Sequence, residues 1–456
     1  MNPAADLQAW ARFKTGLRGW PLFLLLAVSA QAQVQTPQYG PLRFGQKRLS
    51  DTTRVPIRGE YEPPQPAGPV SLTTELQPSE VSTPLMPEGM ENMPAEPEPV
   101  IQTRKRWTFS IDVRSIYDDN IFLSSKGREK SDFVFLFTPS VTFRSGDTAT
   151  KRDSYVIASY TPSASFFASD SGENSVDHTV RLDMQKRFGK LAVGLEGRYQ
   201  RLSGATPELS DRVDRDETGA KLRLRYDLSA RTNIETSAGY SAVKYRESGL
   251  DDYHEWVSET FVGYELSGRT RIAAGGAAGR LDVDGGKPQD YQRALVRVTT
   301  DPKGKLTVDA KAGVEFRKTG AGRETTPVFN VSAEYRPTGR TTAGVSVYRE
   351  VTASGSVENE NLTRTGATLR VMQKLGSRFT AGLEAGYEKM EYASTEAGVA
   401  GSGREDEYYF LRPSLRYDFS ENRRAEIYYS LRRDNSTIGD FDFAANQAGL
   451  AIGFDF

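Results

Sequence analysis

Residues able to do acid–base, nucleophilic or metal chemistry are few in this 456-residue chain. It has two histidines, His178 and His254, and no cysteine. Without cysteine there is no thiolate nucleophile, no thiolate metal site and no disulfide framework. His254 follows Asp251 and Asp252, and Asp211, Asp214 and Asp216 form a second acidic group. Hard divalent cations take such oxygen ligands, but solvated loop charge is the simpler account of both groups. Neither histidine sits in a motif that would orient it against a serine or an aspartate for hydrolysis. Gly401-Ser402-Gly403 follows no strand-to-helix pattern, so it signifies a loop. The expectation is a chain that is not an enzyme and holds no cofactor or metal.

A second set of residues carries chemistry of another kind, through charge at alternate positions. Arg223, Arg225 and Asp227 share one parity. So do Arg293 with Arg297, Lys311 with Glu315 and Arg317, Arg370 with Lys374, Arg412 with Arg416 and Asp418, and Arg424 with Tyr428. Facing one another across water, charges of both signs would set up a transverse field and a hydrated wall for permeants. Paired along a wall, the same charges would merely support a sheet, and for any single residue that is the simpler reading.

Such alternation requires strands to position it. Leu191, Val193, Leu195 and Tyr199 alternate with Ala192, Gly194, Glu196 and Arg198. Leu306, Val308, Ala310, Ala312, Val314 and Phe316 alternate with Thr307, Asp309, Lys311, Gly313, Glu315 and Arg317. The period of two predicts strands from Trp107 onward, and no stretch has a convincing helical period. Residues 444–456 place Ala448, Leu450, Ile452, Phe454 and Phe456 on one face and Gln447, Gly449, Gly453 and Asp455 on the other. That suits the closing strand of a transmembrane β-barrel whose outer face meets lipid. Phe456 is then the expected signal to barrel assembly machinery.

Turns punctuate the strands in two alternating classes. RFGKL from Arg187, LSART from Leu228, LSGRT from Leu266, DPKGK from Asp301, RPTGR from Arg336 and LGSR from Leu375 are tight-turn sequences. Longer polar loops lie between them, including ATPELSDRVDRDE from Ala205 and the Gly- and acid-rich run from Thr395 to Glu407. Short turns on one side and long loops on the other mark an outer-membrane barrel. Aromatics reinforce this. Tyr226, Tyr264, Tyr335, Tyr417 and Phe419 precede short turns, whereas Tyr199, Tyr240, Phe316, Tyr348 and Tyr387 lie some residues after one, as two membrane girdles would. The reading is an all-β, antiparallel up-and-down barrel of about 18 strands over residues 103–456. Its loops look too short to plug it, so an open or loop-narrowed pore is expected.

Composition agrees. The chain is 37% hydrophobic and 26% charged with a net charge of −1, which offers no nucleic-acid footprint. Residues 1–32 read as a signal peptide: Arg12, Lys14 and Arg18, an apolar core from Trp20 to Val28, and Ala30-Gln31-Ala32 as the cleavage site. Residues 33–102 are rich in proline, with no Lys or Arg between Arg58 and Arg104. They read as a disordered periplasmic arm, a tether or spacer whose acidic part could sit against inward arginines.

Near the first strand the chain reads IDVRSIYDDNIFLS from Ile111. Tyr117, Asp118, Asp119 and Asn120, with Ile121 and Phe122, resemble the opening of the β-barrel porin 2 family, often found among exopolysaccharide-export proteins. The resemblance implies an outer-membrane porin of Gram-negative type, in its sharpest form an exit channel for polysaccharide. Its expected partners are outer-membrane lipid, the assembly machinery, the polysaccharide and periplasmic export components. Alternatives are a passive porin for small solutes and a non-conducting adhesin or scaffold. Asp118, Asp119 and Asn120 are expected to end the strand and cap a loop turn.

Overall fold

Alternating apolar and polar residues leave each segment one face for hydrocarbon and one for water, and a ring satisfies every edge hydrogen bond. The computed structural model describes residues 106–146, 148, 153–247, 249–300, 305–356, 359–399 and 401–456. The expected signal peptide and arm, residues 1–32 and 33–102, lie outside the described residues. The strands are β1 (Trp107–Asp118), β2 (Asp132–Gly146), β3 (Tyr155–Phe167), β4 (Ser175–Phe188), β5 (Leu191–Leu202), β6 (Ala205–Thr206) and β7 (Asp211–Arg212). They continue with β8 (Arg215–Asp227), β9 (Thr232–Tyr245), β10 (Tyr253–Ser267), β11 (Thr270–Val283), β12 (Gln289–Thr300) and β13 (Leu306–Lys318). Last come β14 (Arg323–Thr338), β15 (Thr341–Ala353), β16 (Glu360–Leu375), β17 (Phe379–Ser394), β18 (Glu405–Ser420), β19 (Arg423–Ser436) and β20 (Phe443–Asp455).

Eighteen of these form one antiparallel sheet in chain order, and β1 pairs with both β2 and β20, closing the ring. The short β6–β7 hairpin stands apart from it. Eighteen strands at about 4.8 Å spacing and about 40° tilt give a diameter of ~36 Å if the section is round.

Three short turns share one device. The Ser229 hydroxyl accepts the backbone N–H of Arg231 and Thr232, Ser267 those of Arg269 and Thr270, and Thr338 those of Arg340 and Thr341. A hydroxyl that mimics a backbone acceptor holds the reversal without a long loop. Gly189 and Gly376 supply positive φ, +59° and +85°, in two others.

The outer face carries the large exposed apolar side chains, among them Phe133, Phe135, Leu222, Leu224, Val296, Leu369, Leu411, Ile427 and Ile452. Aromatic pairs cluster at both ends of this band. Near the short turns are Trp107 with Phe143 and Phe379 with Tyr417; near the long loops are Tyr117 with Phe133, Tyr240 with Trp256 and Tyr387 with Tyr409. Tyr417 and Tyr409 are eight residues apart on β18, which spans about 20 Å along the barrel axis. Tyr348 corrects the sequence reading. It sits on the inner parity of β15, 4% exposed, and donates to the Glu388 carboxylate, because the outward parity there belongs to Val345 and Val347.

Candidate functional site: the inner wall

Positions opposite the exposed apolar residues face the interior. Arg223, Arg225, Arg293, Arg297, Lys311, Glu315, Arg317, Arg370, Arg412, Arg416, Arg424 and Tyr428 all fall on that parity. Each charge among them has a partner. Glu315 receives Arg293 at 2.6 Å and Arg317 at 2.7 Å; Arg370 meets Glu384 at 2.7 Å and Arg412 meets Glu426 at 3.1 Å. Arg223 pairs with Glu196 and Asp183, Arg225 with Glu235 and Asp227, Arg416 with Asp418, and Arg424 with Asp455. Mutual support along the wall therefore accounts for every pair.

Some pairs report curvature. Lys311 on β13 reaches Glu259 on β10 at 2.9 Å, although three strand intervals in a flat sheet span about 14 Å. Arg297 on β12 likewise bonds Glu235 on β9. Between them runs β11, whose inward residues Ala273, Gly275, Ala277 and Gly279 are all small. With no side-chain bulk over that middle stretch of β11, between Arg271 and Leu281, the neighbours' side chains close over it.

Inward aromatics are more numerous than Tyr428 alone. Tyr428 lies over Gly449 and Arg412 covers it at 4.2 Å; Tyr291 lies over Gly279 beneath Arg293 and Arg317 at 4.5 and 4.7 Å. A cross-strand glycine leaves room for the ring, and a guanidinium stacks on its other face. The signal was present in the sequence as aromatic and glycine at opposed positions, but reading it requires the strand register.

Side-chain exposure grades along the barrel. Near the long-loop end it is 0% for Glu315, 2% for Arg317 and 5% for Arg364. It rises to 13% and 14% for Arg370 and Arg412, then to 26% and 30% for Arg416 and Arg225 near the short turns. A cavity of about 350 Å³ at that mouth is lined by Arg187, Lys190, Arg225, Asp227, Asn233 and Glu265. The interior is more open beside the short turns and packed toward the long loops.

Loops do part of that packing, against the expectation that they are too short to plug. Residues 203–214 fold inward: Ser203, Ala205, Thr206, Arg212 and Val213 are buried, and Val213 joins Tyr245, Tyr253 and Leu281 in one apolar cluster. The run read as a solvated acidic loop carries apolar positions that have an interior to fill. Arg404, just before β18, is fully buried. Burial opposes its charge, yet Tyr392, Asp406 and Glu208 outweigh that and hold the guanidinium above its ordinary pKa.

The YDDN motif ends β1 as expected, and its contacts reach the last strand. Asp118 accepts from the Asn120 N–H at 2.9 Å, from Gln447 and from Arg432 at 3.3 Å. Asp119 accepts from the backbone and side chain of Asn446 at 2.6 and 2.8 Å, and Asn120 donates to the Ala444 carbonyl at 3.1 Å. At the other end of this seam the Phe456 N–H donates to Phe109 O at 2.8 Å. His178 points outward and stacks on Tyr160, whose hydroxyl lies 3.0 Å from its Nδ1. Among the described residues, no group of three or more His, Asp or Glu side chains is placed to hold a metal ion.

A family model described as Putative beta-barrel porin 2 matches residues 315–456, in agreement with the resemblance of the first strand. No curated protein matches the chain. Among solved structures, the outer membrane protein OpdK of Pseudomonas aeruginosa is similar at 13% identity, TM-score 0.38, over 77% of this chain and 98% of that one. OccAB3 of Acinetobacter baumannii gives 11%, 0.40, 77% and 99%; the siderophore receptor PirA of Pseudomonas aeruginosa gives 10%, 0.37, 77% and 80%. At these scores the likenesses carry no argument about what passes through the barrel.

Proposed function

We propose that this outer-membrane β-barrel, matched by a porin family model over its C-terminal part, is an aqueous channel for hydrophilic solutes. The carrying observation is the division of its two faces. The outer face is apolar between two aromatic girdles, whereas the inner wall is charged around the ring and its side chains become more exposed beside the short turns. Paired charges on a water-facing wall hydrate a permeant without trapping it. Lipid is the partner of the outer face, and assembly machinery that reads the strand ending in Phe456 is the partner during biogenesis. The Pro-rich arm lies in the periplasm on this reading.

Export of polysaccharide is the sharper form. It draws support from the family resemblance and not from stacking on sugars, because rings such as Tyr428 and Tyr291 have glycine on one face and arginine on the other. Reconstitution in planar bilayers tests the channel: stepwise conductance is expected, and its absence from wild type and from every variant below would leave a scaffold. Liposome swelling with sugars of graded size then separates a small-solute pore from a polymer conduit. Unchanged surface polysaccharide after gene deletion defeats the export form.

A further inference from the structure

We infer that residues 203–214 form the channel's outer gate, a strap drawn across the barrel and fastened where Glu208 meets Arg404 and Gly355. The inference rests on the channel reading and deepens it by locating the closure. The strap leaves the ring between β5 and β8, but its fasteners lie far around it. Gly355 follows β15, seven strands from β8 by way of β9 to β14, and Arg404 precedes β18, seven strands from β5 in the other direction. Six residues out and six back reach about 20 Å, little more than half of the ~36 Å diameter. The far loops accordingly come inward to meet the strap.

The contacts at the fastening are specific. The Arg404 Nη2 group donates to the Glu208 carbonyl at 2.8 Å, and the Gly355 N–H donates to Glu208 Oε1 at 2.8 Å. Ser210 Oγ donates to the Phe441 carbonyl at 3.4 Å. Arg404 is itself fixed, bonded through Nε to Asp406 at 2.9 Å with its guanidinium 3.4 Å from the Phe441 ring centre. The tip is a folded hairpin, since β6 pairs with β7 and the Ser210 N–H donates to Thr206 O at 2.8 Å. A loop standing in water would expose Ser203, Ala205 and Thr206, which are 3–6% exposed. No strand ladder joins the β6–β7 hairpin to the ring; the strap's ties to its own side of the barrel are the Arg212 side chain to Glu173 at 2.9 Å, Arg215 to the Gly204 carbonyl at 3.4 Å and the Arg246 N–H to the Asp214 carbonyl at 2.9 Å.

The test uses the full chain in planar bilayers. Because the chain has no cysteine, Glu208→Cys with Ser356→Cys introduces its only two thiols, one on each side of the fastening. A short bis-methanethiosulfonate linker should abolish conductance and a reductant should restore it. Replacing residues 204–213 with a short Gly-Ser bridge should give a larger, steadier conductance. Should that chain fail to fold, Glu208→Ala should instead raise the open fraction above wild type. Equal conductance in wild-type, linked, reduced and strap-altered chains overturns the gate and leaves the channel standing. Silence in all of them, with folding verified by heat-modifiable gel mobility, overturns the channel and the gate with it.

Discussion

At the scale of single residues, the inner wall separates charges that matter to stability from charges that do not. Glu315 is unexposed and holds two arginines, Arg293 and Arg317, themselves 7% and 2% exposed. Its removal takes from two buried cations the carboxylate they share, leaving Arg317 its weaker bonds to Gln289 and the Val351 carbonyl; breaking a buried pair costs about 3–5 kcal/mol. Arg128 and Asp440, 2.5 Å apart, are mostly in water, where an ion pair contributes about 0–1 kcal/mol. We expect Glu315→Ala to lower the urea midpoint of the vesicle-folded barrel substantially and Asp440→Ala to leave it within error; equal midpoints for the two variants would refute the distinction. That Glu315, Arg293 and Arg317 share a face was legible from their spacing alone. Their grouping was not, since it depends on the pairing of β12 with β13, in which Arg293 stands opposite Glu315. The reach of Lys311 to Glu259 was further out of view, because it depends on β13 coming close to β10 over the small middle stretch of β11.

At the scale of elements, the seam between β1 and β20 is where a linear chain becomes a ring. Backbone pairing joins the strands from Ser110 with Asp455 to Asp118 with Gln447. Beyond the last pair, Asp119 and Asn120 add hydrogen bonds to Asn446 and Ala444. Hydrogen bonds that include a charged group contribute about 1.5–3 kcal/mol each. Asp119→Ala should therefore weaken closure, seen as a lower temperature for the shift from folded to unfolded mobility on a gel, while Asp170→Ala, in an exposed ion pair with Lys130, should not. An unchanged transition in the first variant would show that the backbone ladder alone closes the ring. The motif's place at a strand end was readable, as was the two-faced strand ending in Phe456. Its partners were not, because more than 300 residues separate Asp119 from Asn446. Tyr348 fell on the wrong face for a related reason. An aromatic at girdle spacing resembles its outward neighbours until the register places Gly366 beside it, leaving an inner slot that only a flat ring fills.

At the scale of the whole molecule, the barrel is asymmetric along its axis, a property no local sequence pattern encodes. Counting charges in ATPELSDRVDRDE gives a solvated loop, but Ala205, Leu209 and Val213 are the residues that find an interior to fill, and that interior exists only once the ring has closed. Side chains that alternate identically along β8, β16 and β18 thus meet different surroundings at the two ends. The cysteine-free background turns this into a measurement. Single substitutions Arg225→Cys and Arg416→Cys, beside the short turns, should react quickly with a charged methanethiosulfonate reagent. Arg364→Cys, at a side chain 5% exposed beside Glu388, should react far more slowly while residues 203–214 are in place and gain reactivity when they are shortened. Equal rates at all three positions in the unaltered chain would describe a uniformly open tube, in which the packed half and the strap above it have no standing population in the membrane.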